Sequence, residues 1–225
     1  MMDYIKTLEE EFKRLANPEI SAGQKTYMKT QFEFFGVKTP TRREINAPFL
    51  HKDFLPTQDD AEKIVRNLWL RPEREFQYFA QELALSYHKK VKETDLELFE
   101  FMILNKSWWD TVDFIAPKLV GSYFKKYPHQ RDKTIEKWLA SGNIWLQRSS
   151  LIFQLKYKTG FDTKMLEHVI QSLSGSKEFF INKAIGWILR EYGKREPDWV
   201  LEFATRNSLH PLSRREGLRI IQIGQ

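Results

Sequence analysis

The sequence contains no cysteine, only ten glycines and nine prolines in 225 residues, and no long apolar run. The missing thiols exclude disulfides, thiolate metal sites and a cysteine nucleophile together, and they favour a cytoplasmic compartment over a secreted one. Glycine and proline make up about 8% of the chain, against roughly 12% in average usage, which leaves too few turns for a sandwich or barrel. No stretch approaches the ~20 apolar residues of a membrane span. The amino terminus, MMDYIKTLEEEFKRLANPE, lacks the apolar segment of a signal peptide. His51, His88, His129, His168 and His210 are scattered without metal-ligand spacing. No glycine-rich phosphate loop or Ser/His/Asp arrangement is apparent, so the residues ask for no metal and no cofactor.

What the chain has in quantity is apolar residues three and four apart, as in AEKIVRNLWL, EFQYFAQELALSY, IWLQRSSLIFQLKY and FFINKAIGWILREY. This is helical periodicity, and it predicts about a dozen helices. Asn17-Pro18, Lys38-Thr39-Pro40, Pro128-His129, Ser141-Gly142-Asn143, Thr159-Gly160, Ser174-Gly175-Ser176 and His210-Pro211 separate them as short breaks, which place successive helices antiparallel. No linker divides the chain, so residues 1–225 read as a single all-α domain, irregular only over 47–60.

Residues 73–87, 143–157 and 178–192 align with one another and all end in tyrosine, at separations of 70 and 35 residues. A period near 35 with two helices per unit is the signature of an α-solenoid of HEAT-like, ARM-type antiparallel helix pairs. One column of the alignment holds Arg43, Tyr78, Asp113, Arg148 and Lys183, followed by Arg215. Equivalent positions of a solenoid line one surface, and Arg42, Lys156, Arg190 and Arg214 would thicken the row. The expectation is a concave, basic groove suited to the phosphates of a duplex. The plain alternative is a solvated helix face. The net charge of +6 does not by itself name a partner.

Asp113 interrupts the basic row. Trp109 lies one helical turn before it, and Trp187 one turn after Lys183. A carboxylate flanked by indoles suits a cation or an electron-poor ring. Two ordinary readings stand beside this one: an ion pair between Asp113 and Arg148 one repeat later, and tryptophans that simply fill the core.

Six segments in order, YMKTQFEFFGVKTPTRRE (27–44), RPEREFQYFA (71–80), NKSWWDTVD (105–113), SGNIWLQRSSLIFQLKYK (141–158), SKEFFINKAIGWILREYGK (176–194) and PLSRREGLR (211–219), resemble the HEAT-like-repeat alkylpurine DNA glycosylases of the DNA alkylation repair superfamily. The resemblance implies a monomeric, metal-independent, monofunctional enzyme. It would bind double-stranded DNA and hydrolyse the N-glycosidic bond of cationic N3- and N7-alkylated purines, leaving an abasic site without deep base flipping, a mode that leaves room for bulky adducts. By motif, Asp113 is then the catalytic carboxylate, Trp109 and Trp187 the cleft aromatics, and Arg148 a DNA contact beside the lesion. Tyr27 and Lys156 are further DNA-facing positions, and Lys38 joins Arg43, Lys183, Arg190, Arg214 and Arg215 among the outer contacts. Two rival expectations are a catalytically silent relative that binds damaged or branched DNA, and a helical-repeat scaffold that binds a protein.

Overall fold

The computed structural model describes residues 2–221, which are all-helical apart from an isolated parallel bridge between Glu33 and Glu73. The helices fall into two compact units, Met1–Lys106 and Ser107–Gln225, and the division comes where Lys106 takes a positive φ of 50°. The first unit contains α1 (Met2–Arg14), α2 (Pro18–Tyr27), α3 (Thr39–Phe49), α4 (Gln58–Trp69), α5 (Arg74–Ser86) and α6 (Asp95–Leu104). The second contains α7 (Trp109–Ile115), which passes through a π turn (Ala116–Val120) into α8 (Gly121–Lys126), then α9 (Pro128–Ala140), α10 (Ile144–Ile152), α11 (Thr163–Ser172), α12 (Phe179–Gly193), α13 (Pro197–Arg206) and α14 (Pro211–Leu218).

The repeat read from sequence is present in the element boundaries. Helices α3, α5, α7, α10 and α12 begin at residues 39, 74, 109, 144 and 179, steps of 35, and α14 follows at 211 after a step of 32. Arg43, Tyr78, Asp113, Arg148, Lys183 and Arg215 are therefore each the fifth residue of their helix. The irregular stretch is shorter than expected, because α3 runs to Phe49 and α4 begins at Gln58.

Local chemistry fixes these boundaries. Asn17 accepts from the amides of Glu19 and Ile20, and Asn143 from those of Trp145 and Leu146, satisfying donors that a helix start leaves over. Prolines stand in the first turns of α2, α3, α9, α13 and α14, where a missing N–H costs nothing. Each unit has its own core: Leu8, Phe12, Leu68, Trp69, Phe79 and Leu83 in the first, and Ile115, Trp138, Ile152, Ile181, Ile188 and Phe203 in the second, all fully buried. Side chains of this size contribute about 1.5–3 kcal/mol each on burial.

In the first unit, the segment between α2 and α3 is fastened to α5. Glu75 is fully buried, and its carboxylate accepts from the amides of Phe35 (3.1 Å), Gly36 (3.0 Å) and Val37 (3.1 Å). Gly36 is required there: its φ is +87°, and a β-carbon would lie 2.0 Å from the Asn17 carbonyl oxygen. Beside it, the Arg74 amide donates to the Glu33 carbonyl, and the Arg74 guanidinium lies 3.8 Å from the Phe32 ring centre. Glu75→Ala strands three inward-facing amides. It is expected to cost about 3 kcal/mol or more in urea unfolding, with Glu75→Gln costing less because it keeps an acceptor. Burial pushes the Glu75 carboxyl above its ordinary 4.5, against the pull of the three amides. The folded state then binds the extra proton between the two values, so this group's contribution is complete below the unfolded value and lost as pH rises through the folded one. Glu75→Gln should flatten that part of the stability curve.

Candidate functional site

The site is built on α7, α10 and α12 of the second unit. Trp109 opens α7 and Asp113 follows one turn later, so both lie on one face. Pro117, one further turn on, has no N–H to give to the Asp113 carbonyl. The helix absorbs this by widening into the π turn, where the Gly121 amide reaches back five residues to the Ala116 carbonyl. Trp108, Trp145 and Phe180 cluster at the starts of α7, α10 and α12, with ring centres 5.0–5.7 Å apart.

Arg148 holds the carboxylate. Its Nε donates to Asp113 Oδ1 at 2.8 Å and its Nη2 to Oδ2 at 2.9 Å, a two-pronged pair, while Nη1 donates to the Phe180 carbonyl. The Arg148 side chain is 6% exposed and that of Asp113 18%, so the acid is the more open of the two. Burial pushes the Asp113 carboxyl above its ordinary value, Arg148 pulls against that, and the nearby Asp110 adds to it. The ordinary reading of Asp113 as an ion-pair partner of Arg148 therefore describes the geometry. Three of the Arg148 nitrogens are committed inside the protein. The tryptophans are not core residues, since Trp109 and Trp187 are both half-buried.

On α12, Lys183, Trp187 and Arg190 follow at helical spacing along one face. Both cations are engaged by Glu216 of α14, through Oε1 to Lys183 Nζ at 3.1 Å and Oε2 to Arg190 Nη1 at 2.8 Å. The two salt links hold the Glu216 carboxyl below its ordinary value. In the first unit, the Arg42 guanidinium lies 4.3 Å from the Tyr78 ring centre and 3.6 Å from Glu82, which also accepts from Asn46 at 2.8 Å.

The basic row is thus less charged than its sequence suggested, because carboxylates of neighbouring helices pair with Arg148, Lys183, Arg190 and Arg42, Glu216 serving two of them. Lys38, Arg43, Lys156, Arg214 and Arg215 are exposed and make no ion pair with a described residue; Arg214 donates to the Ala204 carbonyl. Tyr27, at the end of α2, is 68% exposed. Sequence reasoning missed Glu216, Glu82 and Glu75. For Glu216 a signal existed, since it lies 33 residues after Lys183 much as Arg148 lies 35 after Asp113. Among the described residues, no group of three or more His, Asp and Glu side chains is placed to hold a metal, and no helix is long and apolar enough to cross a membrane.

A family model described as DNA alkylation repair enzyme matches residues 8–221. The structure is similar to a solved one titled "Predicted DNA alkylation repair enzyme from Enterococcus faecalis", with 32% sequence identity, a TM-score of 0.84 and coverage of 91% of this chain and 95% of that one. No curated protein matches the sequence.

Proposed function

Because the chain belongs to the DNA alkylation repair enzyme family, we propose that it is a monofunctional glycosylase. It hydrolyses the N-glycosidic bond of cationic N3- and N7-alkylated purines in double-stranded DNA and leaves an abasic site. The observation that carries this reading is Asp113: a carboxylate fixed by two hydrogen bonds on a side chain that keeps 18% of its surface exposed, with the indole of Trp109 one turn away.

The reaction asks little more of the protein. An alkylated purine already bears the positive charge that protonation would otherwise supply, so it departs neutral and needs no general acid. This accounts for one carboxylate where glycoside hydrolysis commonly uses two. Positive charge moves onto the deoxyribose as the bond breaks, and an immobile Asp113 stabilises that state more than the starting one, which is the difference that accelerates the step. A preorganised electrostatic contribution of this kind is worth about 3–4 kcal/mol, or 10² to 10³ in rate. Asp113 also offers an acceptor for the attacking water. Trp109 and Trp187 supply π faces to the growing cation, and Lys38, Arg43, Lys156, Arg214, Arg215 and Tyr27 supply exposed contacts for the duplex.

One observation favours a second reading, binding without cleavage: the Asp113 charge is already partly spent on Arg148. The two separate in one experiment, in which purified protein is incubated with methylated duplex in the presence of a chelator and freed bases are separated by chromatography. Release of 3-methyladenine and 7-methylguanine is expected. Duplex binding with no free base would establish the second reading instead.

A further inference from the structure

We propose that Glu216 is an internal stand-in for a DNA phosphate, occupying Lys183 and Arg190 beside Trp187 and so setting how weakly the second unit holds undamaged duplex. The inference rests on the DNA-binding reading above.

The geometry is that of an anion between two cations on one helix face. Lys183 and Arg190 stand two turns apart on α12 with Trp187 between them, and one carboxylate divides its oxygens between them. Glu216 is set in place by the backbone. A β-carbon on Gly186 would lie 2.5 Å from Glu216 Cβ and 3.0 Å from the Ser213 carbonyl oxygen, and one on Gly217 would lie 3.1 Å from Leu189 Cβ. The two glycines let α12 and α14 approach closely enough for the carboxylate to reach both cations. Arg190 also leans toward the Glu216 carbonyl oxygen at 3.4 Å.

Magnitudes decide between a stabilising role and an electrostatic one. The Lys183 side chain is 38% exposed, that of Arg190 23% and that of Glu216 16%, and salt bridges that water still reaches add about 1 kcal/mol or less to folding. One carboxylate offsets one of the two positive charges, so the pairing removes about one cation from the count that governs duplex affinity, each phosphate neutralised contributing a slope of about 0.9 to the dependence of log affinity on log salt. Phosphates reaching Lys183 and Arg190 displace Glu216 in place of one bulk counterion, so the two cations together add one charge rather than two to that slope while Glu216 is present.

Glu216→Gln preserves the shape and removes the charge. On an undamaged duplex it is expected to steepen the salt slope by roughly one and to tighten binding about tenfold at low salt, with an unchanged circular dichroism spectrum. The gain should disappear when Lys183→Gln and Arg190→Gln are added. Lys183→Gln/Arg190→Gln in the otherwise native chain should lower the slope by only about 0.9, the loss of one net charge, a measurement that does not need the Glu216 variant to fold. A native protein without salt-dependent duplex binding would remove the DNA reading itself. With that binding present, the inference is overturned by an unchanged slope in Glu216→Gln, by a gain that survives loss of both cations, or by a slope about 1.8 lower in Lys183→Gln/Arg190→Gln, the loss expected of two open cations.

Discussion

Asp113→Asn is expected to reduce release of 7-methylguanine from methylated duplex by a factor of about 10² or more, while duplex affinity is kept or increased, because a negative charge has left a polyanion-binding surface. The amide retains the volume and one acceptor for Arg148, so the loss reports on charge. Excision at the native rate would remove Asp113 from the chemistry. The pH dependence follows with its sign. Only the ionised carboxylate stabilises a cationic sugar, and burial has raised the Asp113 carboxyl above the 3.8 of an exposed aspartate. The acid limb of the native rate profile should therefore lie above that value and be missing from the variant. For folding the sign is opposite: with its folded value raised, Asp113 contributes stability below the unfolded value and loses it as pH rises. The ionised form that serves catalysis is the one the fold tolerates less.

Arg148→Ala is expected to cost about 3–5 kcal/mol in urea unfolding, the range for removing one partner of a buried ion pair. The substitution leaves the Asp113 carboxylate and the Phe180 carbonyl without their donors. It should also push the Asp113 carboxyl further up and move the acid limb of excision with it. The salt dependence of duplex binding should not change, since a guanidinium sheltered from solvent contributes no released counterion. A direct phosphate contact would instead lower the slope by about one. That single comparison separates a residue acting through Asp113 from one acting on DNA.

Helix order, the 35-residue period and the shared fifth position of the column residues were legible because they depend on spacing along the chain. Apolar residues recur at helical intervals, and Pro40, Gly142, Gly160 and Pro197 punctuate them. Of the charge pairings, the 35-residue spacing offered only that of Asp113 with Arg148, beside the alternative of a DNA contact, and the others were not legible. Whether Arg148 faces DNA or Asp113, and whether Lys183 and Arg190 are open or engaged, depends on how closely adjacent second helices approach. At α12 and α14 that distance is set by Gly186 and Gly217, which the alignment of apolar positions does not weigh. The π turn after Asp113 likewise escaped a pattern built on 3.6 residues per turn, although Pro117 marks its place.

The guanidinium of Arg148 starts on α10, grips Asp113 on α7 and reaches the Phe180 carbonyl on α12. In an array of helix pairs each repeat ordinarily touches only its neighbours, and the array can come apart piecewise, one interface at a time. A single side chain bonded to the repeats on both sides couples those two interfaces, so opening either one exposes the same buried charge. Residues 109–193 should behave as one cooperative block whose slowest amides exchange together.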